Sequence, residues 1–278
     1  MRAKKHFGQN FLHNPFILER ILQASAELLQ GQKLIEIGVG LGDLSERLLS
    51  LSSLTTYEID ADLCSFVLQK FSSRTFTHQF ELVHRDVLSI PFDMDSGAEA
   101  EQRENLKSAG WLANEPYILV SNLPYNIATR IVLNLLHDRL CEGFVVMTQK
   151  EVALKFCASA HDSDFCALSV LAQSVGEIEL LFDVGAENFT PVPKVTSSVF
   201  RLRRYENAFI EKDFESMLKA AFSAPRKKLY TNLQPYLCQS SQNLLEIFER
   251  ESISTNARPH EVSTQKYHHI YNSLKGHS

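Results

Sequence analysis

Three short stretches hold residues whose types and spacing can do chemistry. The first is Leu34-Ile35-Glu36-Ile37-Gly38-Val39-Gly40-Leu41-Gly42-Asp43, an apolar run followed by a glycine-rich turn and then a helical pattern. Glycines there let the backbone approach a ligand closely, and the helix that follows offers free N–H groups. The second is Tyr57-Glu58-Ile59-Asp60, which puts Glu58 20 residues beyond Gly38 at the end of the next apolar run. A carboxylate in that place can accept both ribose hydroxyls of a nucleoside cofactor. Gly38, Gly40 and Glu58 alone fit NAD, FAD or S-adenosylmethionine (SAM). Asp43 separates them, because a dinucleotide fingerprint takes glycine or alanine there and an acid repels a pyrophosphate. SAM has no phosphate, and its sulfonium and amino groups are positive. Asp86, in His84-Arg85-Asp86-Val87, follows a third apolar run. It can accept a hydrogen bond from an adenine amine, although an Asp in that place is also a common turn former or cap.

The third stretch is Ser121-Asn122-Leu123-Pro124-Tyr125-Asn126, again between an apolar run and a helical pattern. An exocyclic adenine amine is a poor nucleophile, because its lone pair is delocalised into the ring. Methylating it needs acceptors that draw both N–H groups toward tetrahedral geometry. The side-chain oxygen of Asn122 and the backbone carbonyl of Leu123 or Pro124 are suitable, with the proline stiffening the strand end. Tyr125 can stack on a base turned out of its helix.

Elements must hold these stretches at one edge. Asn14-Pro15 opens an amphipathic helix, and the apolar runs Leu34–Ile37, Leu54–Ile59, Phe80–His84, Tyr117–Val120 and Phe144–Thr148 read as buried strands. Helical patterns over Leu44–Leu51, Ala61–Phe71, Ile127–Leu136 and Glu151–Ser159 alternate with them, which predicts a parallel sheet covered on both faces. After Phe165 come a helix and two runs, Ile178–Val184 and Val195–Leu202, expected as an antiparallel hairpin on the sheet edge. Beyond Tyr205 only helical patterns follow: Phe214–Phe222, Lys227–Leu237, Leu244–Glu251 and Val262–Leu274. The expected fold class is α/β, a Rossmann-like methyltransferase sheet over residues 1–205 with a small all-helical domain over 206–278. Asp93–Glu115 is polar and acidic and reads as a surface insertion.

The net charge of −5 hides an asymmetry: residues 1–20 carry +3, residues 21–189 carry −13 and residues 190–278 carry +5. Lys4 and Lys5, then Arg201, Arg203 and Arg204, then Arg226, Lys227 and Lys228 supply the basic ends and are the expected phosphate contacts of an RNA. Uneven charge on an ordinary solvated surface would give the same count. The five cysteines form no Cys-x-x-Cys pair, so buried reduced thiols are expected and no metal. No apolar stretch has signal-peptide or membrane-spanning length, which predicts a cytosolic protein with no membrane partner, expected as a monomer.

In these motifs and their order the chain resembles the rRNA adenine dimethyltransferases, the kasugamycin-resistance family that acts on the small ribosomal subunit. The likeness runs from Lys5-His6-Phe7-Gly8-Gln9-Asn10-Phe11-Leu12 through the three stretches above, Gln149-Lys150-Glu151-Val152 and Leu168-Ser169-Val170-Leu171-Ala172-Gln173. It continues to Phe189-Thr190-Pro191-Val192-Pro193-Lys194-Val195-Thr196-Ser197-Ser198. The resemblance implies that Asn10 and Leu12 contact SAM beside Gly38, Glu58 and Asp86, and that Asn122 touches both cofactor and target. It implies that Phe189 faces the target base opposite Tyr125. The implied substrates are two adjacent adenosines near the end of small-subunit rRNA, each methylated twice within an assembling subunit. Three rivals share parts of this pattern. One is a large-subunit rRNA methyltransferase, one a binding factor of the same fold without catalysis, and one a nicotinamide oxidoreductase, which Asp43 disfavours.

Overall fold

The computed structural model describes residues 4, 7–92, 110–236 and 241–275. Lys5, Cys238 and positions 93–109 of the expected insertion lie outside the described residues.

The chain alternates as its patterning predicts. Strands β2 (Lys33–Ile37), β3 (Leu54–Glu58), β4 (Phe80–His84), β5 (Tyr117–Asn122) and β6 (Cys141–Gln149) are separated by helices α2 (Asp43–Leu48), α3 (Ala61–Ser72) and α4 (Ala128–His137). These strands run parallel to their neighbours, and Tyr117, Ile118, Leu119 and Val120 of β5 are all buried, as expected of a strand covered on both faces. The N-terminal helix α1 (Pro15–Ala26) starts where the sequence places it: Asn14 Oδ1 accepts from the backbone N–H of Phe16 at 2.9 Å, with Pro15 in the first turn.

Two further strands complete a seven-stranded sheet in the order β4-β3-β2-β5-β6-β9-β7. Strand β9 (Ser197–Arg204) pairs antiparallel with β6, and β7 (Gly176–Val184) is the outer strand. The two runs expected as a hairpin are thus neighbours, but the later one takes the inner place. Between them a two-residue strand, β8 (Phe189–Thr190), pairs with β1 (Phe11–Leu12) in a small sheet that the sequence reading missed. Two residues are too few for an alternating pattern to register.

The division of the chain also differs from the expected break at residue 205. One unit comprises residues 1–153 and 179–207, the other residues 154–178 and 208–278. Helix α6 (Ala167–Val175) belongs to the second unit because its partners are there. Gln173 accepts from Thr264 Oγ1 at 2.6 Å, Ser174 Oγ meets His268 Nε2 at 2.8 Å, and Phe165 packs on Phe222. That unit also holds α7 (Lys212–Ala221), α8 (Leu229–Leu233), α9 (Ser241–Arg250) and α10 (Thr264–Lys275), while α5 (Lys150–Cys157) crosses the boundary.

The end of the expected surface insertion is not on the surface. Trp111 and Leu112 are buried, and buried Asp138 accepts from Trp111 N–H at 2.8 Å and from the Tyr117 hydroxyl at 2.6 Å. Cys64 and Cys141 are buried free thiols, whereas Cys157 and Cys166 are half-buried. Among the described residues no group of side chains could hold a metal, and no helix is long and apolar enough to cross a membrane.

Arg204 illustrates how the sheet is locked. Its guanidinium donates to the carbonyls of Cys141 at 2.6 Å, Leu135 at 2.7 Å and Leu136 at 3.0 Å, closing the last turn of α4 against the start of β6. Charge-assisted bonds of this kind hold carbonyls that would otherwise lose their partners on folding. Arg204→Ala is expected to destabilise the fold by about 2–3 kcal/mol, as read by chemical denaturation.

Candidate active site

At the carboxyl ends of β2, β3 and β5, the glycine turn, the Glu58 strand end and the Asn122 stretch meet around a cleft of about 780 Å³ that opens to solvent. Asn10, Leu12, Gly38, Gly40, Glu58, Asn122, Leu123, Pro124 and Tyr125 all line it, so most of the expected site residues come together. Gly38 and Gly40 have φ of +83° and +54°, which a side chain would strain, and a Cβ on Gly40 would press on Phe11 at 3.4 Å.

Glu58 is 6% exposed. Its Oε1 accepts from the N–H groups of Ile59 and Asp60, both at 2.9 Å, and its Oε2 accepts only a long 3.4 Å bond from Gly40 N–H. Oε2 is therefore the oxygen with capacity left for a ligand. Burial pushes the Glu58 carboxyl above its ordinary range, and the three backbone donors partly offset that shift.

The Asn122 amide has a fixed orientation. Its Nδ2 donates to the Asn10 carbonyl at 3.2 Å, which leaves Oδ1 as the free acceptor beside the cleft. The Pro124 carbonyl accepts from Ile127 N–H at 3.1 Å, which leaves it one further lone pair, so both backbone acceptors expected from the sequence stay available. Leu123 itself is tied to β6 by its N–H, which donates to Met147 at 3.0 Å. Tyr125 is half-buried, with its hydroxyl at 2.6 Å from Ser197 Oγ; burial raises its pKa, so the phenol stays neutral.

Other expected site residues stand elsewhere. Asp86 is exposed and does not line the cleft; its Oδ1 accepts from Leu88 N–H at 2.9 Å, the capping role open to any Asp after a strand. Phe189 is 1% exposed and packs in the core, because β8 pairs it with Leu12 of β1; it is not an open aromatic face. Asp43 does line the cleft, but Lys70 pairs with it at 2.7 Å, which cancels much of the negative charge that set it apart in the sequence.

A second acid lining the cleft is Glu36, a residue the sequence reading passed over inside its own motif and one that burial keeps protonated up to about pH 8. Glu36 is 1% exposed, lines the cleft, and has one hydrogen-bond partner, Ser45 Oγ. The signal was available: a charged residue in an otherwise apolar strand, two positions before the glycine turn. Ile59, 42% exposed, is a second missed lining residue and offers an apolar face next to Glu58.

Most of the expected RNA contacts are engaged within the protein. Lys4 pairs with Asp60 and Asp62, both at 2.6 Å, and the Gln9 amide donates to Asp60 at 2.9 Å. Arg201 pairs with Glu27 and Glu179, and Arg203 donates to the Glu27 carbonyl at 2.9 Å. With Arg204 on its three carbonyls, the run that ends β9 holds the sheet together, because β9 lies inside the sheet where acceptors surround it. Arg226, Lys227 and Lys228 differ: all three are exposed and form no ion pair among the described residues.

Burial, aided by the nearby Glu58 charge, pushes the Glu36 carboxyl from 4.5 up to about 8. Between those values the folded chain keeps a proton that the unfolded chain has released, so stability falls as pH rises through that window. Glu36→Gln, which cannot ionise, should remove that fall. Its stability relative to wild type should climb from about pH 5 to about pH 8 and then level off, as read by urea denaturation. Parallel profiles for the two proteins would contradict this.

The family model described as Ribosomal RNA adenine dimethylase matches residues 1–276. The chain is 46% identical over 280 residues to Ribosomal RNA small subunit methyltransferase A of Helicobacter hepaticus, covering 99% of this chain and 92% of that relative. A dimethyladenosine transferase from Plasmodium falciparum shares the fold with a TM-score of 0.76 at 20% identity, over 96% of this chain and 98% of that one. The 23S rRNA methyltransferase ErmE gives 0.72 at 24% identity, over 96% and 100%. The match along nearly the whole sequence, with the cleft where the motifs place it, makes this chain a member of the ribosomal RNA adenine dimethylase family.

Proposed function

We propose that the chain dimethylates the exocyclic amines of two adjacent adenosines near the end of small-subunit rRNA, with SAM as methyl donor. The observation that carries this reading is the held amide of Asn122, whose free Oδ1 stands beside the acidic, glycine-walled cleft. The choice of small-subunit RNA rests on the relatives named for that activity, at 46% identity in Helicobacter hepaticus and 42% in Campylobacter concisus.

The donor set fits a positively charged nucleoside. Glu58 Oε2 would take ribose hydroxyls and face the positive charge, and Ile59 would take an apolar ring face. Bare backbone at Gly38 and Gly40 gives room for close approach. When bound, SAM supplies an electrophilic methyl group. The chain's part is to prepare the nucleophile. Asn122 Oδ1 and the Leu123 carbonyl accept the two amine N–H groups, which turns the nitrogen lone pair out of conjugation with the ring. Tyr125, fixed by Ser197, stacks on the flipped base, and the neutral phenol presents its face without a charge to solvate. Phe189 acts at one remove, by anchoring β1 and so Leu12 at the cleft wall. Arg226, Lys227 and Lys228 are the phosphate contacts that position the RNA.

The direct test incubates the protein with labelled SAM and small subunits from cells lacking the modification, then maps labelled bases by mass spectrometry. Two adjacent dimethyladenosines are expected; label elsewhere, or none, refutes the reading. Glu58→Ala is expected to weaken SAM binding at least tenfold and up to about a hundredfold by calorimetry, since the lost bonds are charge-assisted. Asn122→Ala is expected to lower turnover by roughly two orders of magnitude at saturating SAM and RNA, because it removes an acceptor that acts on the reacting amine. A purified Asn122→Ala protein that works at the wild-type rate would exclude that role.

A further inference from the structure

The helical unit contains a second cleft, of about 830 Å³ and open to solvent, lined by His161, Ser252, Ser254, Asn256, Glu261 and Lys266 among others. Its walls are polar and its floor, Ile253 and Val262, is buried and apolar. Two of the three non-glycine residues with left-handed backbone among the described residues line it: His161 at φ +79° and Ser252 at φ +52°. Ser252 sits just past the end of α9, where the Ile253 N–H returns to the Phe248 carbonyl at 2.7 Å. Glycine closes such a turn at lower cost. An imidazole and a hydroxyl kept at strained positions on one cleft point to a role for the side chains themselves.

One cation, Lys266, and one carboxylate, Glu261, line the cleft. Lys266 Nζ donates to the Ser252 carbonyl at 3.2 Å, and among the described residues it has no ion-pair partner. The carboxylate that shares the lining, Glu261, accepts from Arg258 N–H at 2.6 Å and caps its own turn. Asn256 is exposed, so its amide can donate and accept at once, as the edge of a base requires. The cleft is also tied to the unpaired basic run. Ala257 in its wall accepts from Leu229 N–H at 2.8 Å, and Lys228 is the residue that opens α8 there. Three exposed cations therefore lead up to a polar cleft whose own cation is unpaired.

We propose that this cleft seats one unpaired nucleotide of the RNA substrate, with its phosphate on Lys266 and His161, its base edge on Asn256, and the strand continuing along Lys228, Lys227 and Arg226. The proposal rests on the reading that RNA is the substrate, and it adds a contact that recognises a single-stranded position away from the methylated bases. Unpaired RNA positions are those that proteins read by hydrogen bonds to base edges.

The test measures the affinity of small-subunit rRNA lacking the modification across a range of salt, for wild type, Lys266→Ala and His161→Gly. Lys266→Ala should weaken binding several-fold and flatten the salt slope by about one unit, while SAM affinity stays the same. His161→Gly should weaken RNA binding and yet raise the melting temperature, because glycine relieves the left-handed strain; a purely structural His161 could not give that combination. Wild-type RNA affinity and slope in both variants would overturn the inference, and if the wild-type chain still methylates the RNA, the proposed function stands without it. Loss of all methylation by the wild-type chain would instead remove the functional reading and this inference together. Binding of adenosine monophosphate that both variants abolish, with RNA affinity unchanged, would assign the cleft to a free nucleotide and likewise overturn it.

Discussion

One buried carboxylate, Asp60, ties Lys4 and Gln9 of the N-terminal arm to the end of β3. Asp60 is 3% exposed; it caps α3 through Asp62 N–H, pairs with Lys4, and accepts from the Gln9 amide. Burial alone would raise its pKa, but the bonds from Lys4 and Gln9 outweigh burial and keep it below its ordinary value. The arm so tethered carries Asn10, whose carbonyl orients Asn122, and Phe11 and Leu12, whose pairing with β8 closes the cleft wall. One buried acid thus couples the end of β3 to the arm and, through the arm, to the Asn122 amide. The lysine that looked like a free phosphate contact is spent on that tether.

The cleft shows a second consequence of burying acids. Glu36 and Glu58 lie at the ends of adjacent parallel strands, where neither is solvated well enough to ionise freely. Glu58 is supported by three backbone N–H groups and Glu36 by one serine hydroxyl, which is why burial shifts Glu36 further. Such a pair is poorly satisfied without a positive partner and well satisfied with one. Asp43, the acid that stood out in the sequence, has its charge taken up by Lys70.

The basic residues divide by their surroundings. Arg201, Arg203 and Arg204 lie along a strand flanked by others, where carbonyls and carboxylates are within reach on both sides. Arg226, Lys227 and Lys228 occupy a turn before a short helix, where no acid approaches among the described residues. Identical charges thus serve the fold in one place and stay open to a polyanion in the other.

Much was legible in the sequence because it depends on local pattern. Strand and helix alternation, the Asn14 cap, the glycine turn and the positions of Glu58 and Asn122 follow from periodicity and residue type, and they fell within a few residues of where the structure has them. The family motifs were legible too, since they are short and ordered. What tertiary structure decided were the pairings between distant segments: β8 with β1, helix α6 with the C-terminal helices, and Trp111 turning inward onto Asp138. It also decided which charges are spent. Lys4, Arg201 and Arg204 read as free cations and Phe189 as an open ring, because a sequence states the type of a side chain and not its neighbours. Only packing brings an acceptor within 3 Å of a donor 50 or more residues away, and that proximity, set by the sheet, separates a binding residue from a structural one.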